Sequence, residues 1–176
     1  MDLLTHLFLP LAVVYVLRPK LFENPLAFGV AGFAILPDLD KLVAVPGGLH
    51  SLLTLLPIAL GVVVIERWSF GQLRYSPVIV GLLYSHLLLD LVEGDLVTLL
   101  APLVTAGLEL QYSSQVVFGG EWPIMVRGEL LSMVIRQPEA GAGGSGVSTY
   151  PLVRKYGVLS MLVFLAVVSP QFTHDR

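Results

Sequence analysis

The chain has 176 residues, of which 55% are hydrophobic and only 13% charged, where a soluble domain carries about 25% charged residues; its mean hydropathy is +0.81. Composition therefore excludes an ordinary soluble domain and indicates a polytopic membrane protein. The net charge of -3, with Lys and Arg scattered in ones and twos, excludes a nucleic-acid surface, and the lack of cysteine excludes disulfides and thiolate metal sites.

Residues 3–17 form a first apolar run, polar only at Thr5 and His6 and closed by Arg18-Pro19-Lys20. Acidic Asp2 stands where a signal peptide has its basic region, and no small-residue cleavage site follows, so a permanent helix is expected. Residues 25–36 make a second run, rich in Gly29, Ala31, Gly32 and Ala34, small residues that let membrane helices approach closely. It ends in Pro37-Asp38-Leu39-Asp40-Lys41. After a connector holding Pro46-Gly47-Gly48, a third run opens at His50-Ser51, with Ser51 suited to start a helix, and continues to Glu66-Arg67. The fourth, residues 75–89, carries His86 and is closed by Asp90, Glu93 and Asp95. At about 1.5 Å per residue such runs span roughly 18–22 Å, short of a hydrocarbon core about 30 Å thick, so each helix must extend into its polar end.

Residues 96–108, interrupted by Pro102, read as a fifth short span or a re-entrant piece. Residues 109–138 mix apolar and charged residues, including Glu121-Trp122-Pro123 and Arg127-Gly128-Glu129, as an interfacial segment does. Residues 140–146 are a flexible glycine-rich linker by composition. Residues 156–173, preceded by Arg154-Lys155, make the last span, and Trp68, Trp122 and the tyrosines read as interface anchors. The expected fold is an all-α, polytopic membrane helix bundle of about five or six short transmembrane helices. Residues 1–108 form its core, 109–153 an interfacial segment and linker, and 154–176 a final helix and tail.

The positive-inside rule places Arg18 and Lys20, Arg67 and Arg74, and Arg154 and Lys155 on the cytoplasmic side. Threading the first four runs on that basis delivers His6, Asp38, Asp40, His50, His86 and Asp90 to the outer ends of their helices. His86 and Asp90, four residues apart, share one helical face, so two potential ligands converge. Ionisable side chains at membrane depth usually face a partner or a water-filled cavity. Three neutral imidazoles and three carboxylates sum to -3, and two divalent cations balance that with +1 left for a hydroxide or a substrate oxygen. Mixed His and Asp ligation suits zinc, manganese or iron rather than an all-oxygen magnesium or calcium cage.

Thr5-His6, Leu36-Pro37-Asp38-Leu39-Asp40, His50-Ser51 and His86-Leu87-Leu88-Leu89-Asp90, followed by Gly94 and Leu99-Leu100-Ala101-Pro102, together resemble the membrane-bound metal-dependent hydrolases, also described as LexA-binding, inner-membrane-associated hydrolases of bacteria and archaea. The resemblance covers residues 1 to about 105. Where that family commonly has a basic residue and a Thr ahead of the His-Ser pair, this chain has Gly47, Gly48 and Leu49. The ligand set is also similar to that of zinc-dependent phospholipase C and related nucleases, which implies phosphoester hydrolysis by analogy.

The resulting expectation is an integral inner-membrane hydrolase whose site faces outward. His6, Asp38, Asp40, His50, His86 and Asp90 are expected to hold two divalent ions, zinc before manganese or iron, and Asp40 and Asp90 to take part in catalysis with a metal-activated water. The expected substrate is a lipid-like or lipid-linked phosphoester reached from the membrane lipids. Two other readings stand beside it. The same residues would serve a proton or metal-ion relay if spread through the bilayer thickness, and residues 109–138 would bind a soluble protein partner if the chain were a non-catalytic scaffold.

Overall fold

The computed structural model describes residues 2–41, 48–118, 124–137 and 152–174. They form helices α1 (Leu3–Leu17), α2 (Leu52–Phe70), α3 (Ser76–Glu93) and α4 (Lys155–His174), 3-10 segments at Pro19–Glu23, Pro25–Ala34 and Leu36–Lys41, and short strands β1 (Gly107–Gln111), β2 (Gln115–Phe118), β3 (Ile124–Arg127) and β4 (Ser132–Arg136). Helices α2 and α3 are each long and apolar enough to cross a membrane, while α1, Pro25–Ala34 and Lys155–Ser169 are shorter apolar helices. Leu56, Leu60 and Val64 of α2 and Leu159, Leu162 and Leu165 of α4 are exposed, as side chains facing lipid are.

Helix α1 starts where the Asp2 carboxylate accepts the Thr5 N–H at 2.9 Å and the Thr5 hydroxyl at 3.0 Å, an N-cap that satisfies an otherwise orphaned donor. The other oxygen of that carboxylate accepts the Gly157 N–H of α4 at 3.2 Å. A Cβ on Gly157 would collide with the Asp2 carboxylate and with Leu4, so the close approach requires glycine. From there α4 runs parallel to α1. Phe164 packs at 5.4 Å from Phe8 and 6.4 Å from Tyr15, and Val168 joins Leu11, Ala12 and Tyr15 in one core cluster.

The second cluster, Leu55, Ala59, Ile79, Leu83, Leu87 and Val97, joins α2 to α3. Ser51 caps α2 by accepting the Leu53 N–H at 3.1 Å, and its hydroxyl lies 3.0 and 2.7 Å from the carbonyl oxygens of Leu99 and Ala101. The Leu52 N–H also donates to Leu99 at 3.0 Å. Helix α3 lacks a side-chain cap of its own. Buried Glu66 of α2 supplies it, accepting N–H groups of Arg74, Tyr75 and Ser76 at 3.0, 2.7 and 2.7 Å together with the Ser76 hydroxyl. At its other end α3 stops at Gly94, whose φ of 88° is left-handed and whose Cβ would meet the Leu110 carbonyl at 2.9 Å.

The chain is mostly helical, but four expectations change. The second apolar run is a 3-10 helix, because Pro25 starts it and Gly29 and Gly32 are weak α-helix formers. Nothing lies within 4 Å of a Cβ at Gly29 or Gly32; buried Ala27, Ala31 and Ala34 make the close contacts instead. Residues 96–106 form no helix, so of the two readings of 96–108, a fifth span or a re-entrant piece, the helical span is not built: Val97 bridges Leu108, and Leu99 and Ala101 are tied to the start of α2. The all-α expectation also yields to two antiparallel ribbons, β1 with β4 and β2 with β3. Finally, because α4 is parallel to α1, Arg154 and Lys155 lie at the end of the molecule that carries His6, not opposite it. The connector at 42–47, Glu121–Pro123 and the glycine-rich linker at 140–146 lie outside the described residues.

Candidate metal centre

The polar ends of four separate segments meet at one end of the molecule. His6 comes from the start of α1, Asp38 and Asp40 from the 3-10 segment Leu36–Lys41, His50 from the residue before the α2 cap, and His86 and Asp90 from the last turns of α3. His6 is 1% exposed and His86 0%, and Asp38, Asp40 and Asp90 are also buried; only His50 retains some access, its side chain 15% exposed.

Each imidazole is held from behind through Nδ1. His86 Nδ1 lies 2.8 Å from the Ala34 carbonyl and His6 Nδ1 lies 3.3 Å from the Asp2 carbonyl. His50 Nδ1 lies 2.9 Å from Asp40 Oδ2, which also accepts the Leu49 N–H at 3.1 Å. A carbonyl can only accept, so Nδ1 of His6 and of His86 carries the hydrogen and Nε2 of the neutral ring is a bare lone pair. All three Nε2 atoms then turn toward two carboxylates. His6 Nε2 lies 3.1 Å from Asp90 Oδ1, and His86 Nε2 lies 3.4 Å from both Asp90 Oδ2 and Asp38 Oδ1. His50 Nε2 lies 3.5 Å from Asp38 Oδ1 and 3.7 Å from Asp90 Oδ2.

Among the described residues, the Nε2 atoms of His6 and His86 are buried with no donor hydrogen-bonded to them. Lone pairs of nitrogen and carboxylate oxygen repel when nothing positive lies between them. Protonating both rings would stack two imidazolium ions with centroids 3.9 Å apart, and like charges at that separation repel by roughly 4 kcal/mol at an effective dielectric of about 20. A divalent cation between these atoms would relieve both conflicts at once. Ligand atoms about 2.0–2.2 Å from one ion, at tetrahedral to octahedral angles, stand about 2.8–3.6 Å apart, close to the separations seen here.

Among the described residues, the donors form two trios with ligand atoms within 4.8 Å of one another, His6–Asp38–His86 and His50–His86–Asp90. They overlap at His86, which has one lone pair to give. Asp40 belongs to neither trio. Its Oδ2 stands behind His50, as a carboxylate fixing the tautomer of a metal-binding histidine does, while its buried Oδ1 has no hydrogen-bond partner among the described residues. The donor set of three nitrogens and two carboxylates fits zinc, manganese or iron.

Burial acting alone would push the His50 pKa down. The hydrogen-bonded carboxylates of Asp38 and Asp40, with Asp90 nearby, outweigh it and hold His50 above the usual histidine value. The Asp2 carbonyl and the Ala34 carbonyl, which aim His6 and His86, were not legible as site groups. Asp2-Leu3-Leu4-Thr5 did carry an N-cap signal that would have placed Asp2 at the start of α1.

Searches of curated proteins and of solved structures returned no match. One family model matches residues 1–170, nearly the whole chain, and agrees with the two apolar helices long enough to cross a membrane. The chain therefore belongs to the YdjM inner membrane protein family.

Proposed function

We propose that the protein is a multi-pass, metal-dependent hydrolase of the inner membrane, acting on the phosphoester of a lipid-like or lipid-linked substrate. The observation that carries the reading is the set of three Nε2 atoms, each anchored through Nδ1 and aimed at the carboxylates of Asp38 and Asp90. A relay across the bilayer would need its groups spread through the thickness; separations of 3.1–3.7 Å at one end of the helices favour a site.

The centre is best filled by one divalent ion rather than the two expected from charge alone, because both trios draw on the single Nε2 of His86. Such an ion supplies Lewis acidity for a phosphoryl oxygen and lowers the pKa of its water toward about 7. The chain does the rest. Asp90 offers one oxygen toward His6 and the other toward His50 and His86, so it fixes the separation of ligands from three segments. Asp40 holds His50 with Nε2 forward. The exposed edge of His50 marks the side from which substrate enters, since His6 and His86 are closed off.

The test is hydrolysis of bis(p-nitrophenyl) phosphate and release of headgroup from phosphatidylglycerol by the full chain in detergent, supplied with Zn, Mn or Fe(II). Metal-dependent turnover that is lost in Asp38→Asn is expected. Absence of turnover with every metal, in protein shown to bind that metal, would overturn the hydrolase reading while leaving the metal centre intact.

A further inference from the structure

At the end of the molecule away from the candidate metal centre, two turns face each other across a cleft of about 630 Å³. The turn after α1 contributes Arg18 and Lys20, and the turn between α2 and α3 contributes Gln72 and Arg74; Leu17 and Leu73 form an apolar wall beside them. Among the described residues, no acidic side chain lines the cleft. Glu66 lies just beneath, but its carboxylate is consumed by the N–H groups of Arg74, Tyr75 and Ser76 at the start of α3.

Three cations brought together from separate turns, in a chain whose net charge is -3, make a local field opposite to that of the molecule. Leu17 and Leu73 are exposed by 70% and 48% next to those cations, so the charged floor and the apolar wall meet where the spans α2 and α3 reach their ends. Basic pockets between membrane helices at this level suit lipid phosphates, and the volume lies in the range of small-molecule sites. We infer that this cleft binds an anionic glycerophospholipid, with the phosphodiester between Arg18, Lys20 and Arg74 and the first acyl carbons against Leu17 and Leu73. The chemistry shared with free phosphate is the phosphate oxygens; the apolar wall is what selects the lipid.

The test uses the full chain purified in detergent, with native mass spectrometry after addition of phosphatidylglycerol, phosphatidylcholine or inorganic phosphate. Retention of phosphatidylglycerol at least about tenfold above phosphatidylcholine is expected, since each basic residue near an anionic lipid surface contributes about fivefold. Arg74→Gln should lower that preference about fivefold, and R18Q/K20Q/R74Q should abolish it. Arg127→Gln, which removes the same charge from an exposed strand position elsewhere, should leave it unchanged. Melting temperatures establish that the variants remain folded, and the substituted side chains are exposed. Equal retention of both lipids, or equal loss in Arg127→Gln, would reduce the cations to an interfacial flank and overturn the inference. Tight binding of inorganic phosphate that competes with phosphatidylglycerol would assign the cleft to a soluble anion instead.

Discussion

Asp38 and Asp40 are two residues apart and were both expected to hold metal, yet they take different positions. In the 3-10 winding of Leu36–Lys41 successive residues turn by about 120°, so residues two apart point in different directions. Asp38 Oδ1 reaches His50 and His86 while Asp40 Oδ2 reaches back to His50 Nδ1 and the Leu49 N–H. Asp40→Asn keeps the shape but weakens the hold on the His50 tautomer, so metal affinity should fall by about 10- to 100-fold, read by competition with a chelating dye. Asp38→Asn or Asp90→Asn should cost more, and an Asp40→Asn variant that binds as weakly as they do would make Asp40 a direct ligand. His50 gives a second expectation at this scale. Its raised pKa means that the chelator-treated protein gains stability from the His50 imidazolium and its carboxylates. That contribution is fully present below the ordinary value near 6.5 and is lost as pH rises through the raised one. Metal binding needs the neutral ring, so affinity should rise with pH over the same window. Melting curves with and without Zn between about pH 5 and 9 would show opposite trends; parallel trends would exclude His50 as a ligand. The pairing of His86 with Asp90 was legible from sequence because a four-residue spacing in an apolar helix leaves little choice of face. The carbonyls of Asp2 and Ala34 were not, since any residue presents one.

Helices here are coupled through their ends. The Asp2 carboxylate joins the first turn of α1 to Gly157 of α4, and the carbonyl of the same residue aims His6. Gly157→Ala should force these helices apart, lowering the melting temperature by several degrees and metal affinity by about tenfold through His6. Ser160→Ala, one turn on, loses only a hydroxyl that donates to Tyr156 of its own helix at 2.8 Å, and should leave metal affinity unchanged. Equal metal affinity in Gly157→Ala and the parent chain would detach α4 from the site. Helices α1, α2 and α3 were readable as apolar runs between polar punctuation. The ribbon of β1 and β4 was missed although Leu108-Glu109-Leu110-Gln111 alternates with the period of two that marks a strand. Residues 96–106 misled for another reason: they are apolar enough for a span, but their backbone is committed to Ser51, Leu52 and Leu108.

For the whole molecule, the direction of α4 decides the topology. Counting basic pairs put Arg154 and Lys155 opposite the site and required another crossing after Asp95. With α4 parallel to α1 no such crossing is needed, and basic residues flank both ends, so charge alone no longer separates inside from outside. The chain has no cysteine, so introduced thiols are unambiguous probes. In oriented vesicles, Leu100→Cys and Arg154→Cys should react with an impermeant maleimide from the same side and Gln72→Cys from the other; Arg154→Cys labelling together with Gln72→Cys would restore the six-span threading.

Elemental analysis of the full chain, purified without chelator, tests most directly whether the convergent histidines hold a cation. One equivalent of zinc, manganese or iron per chain is predicted, lost in His86→Ala while the spectrum of a folded helical protein is kept. A parent chain without transition metal, or a metal content unchanged by His86→Ala, would contradict it.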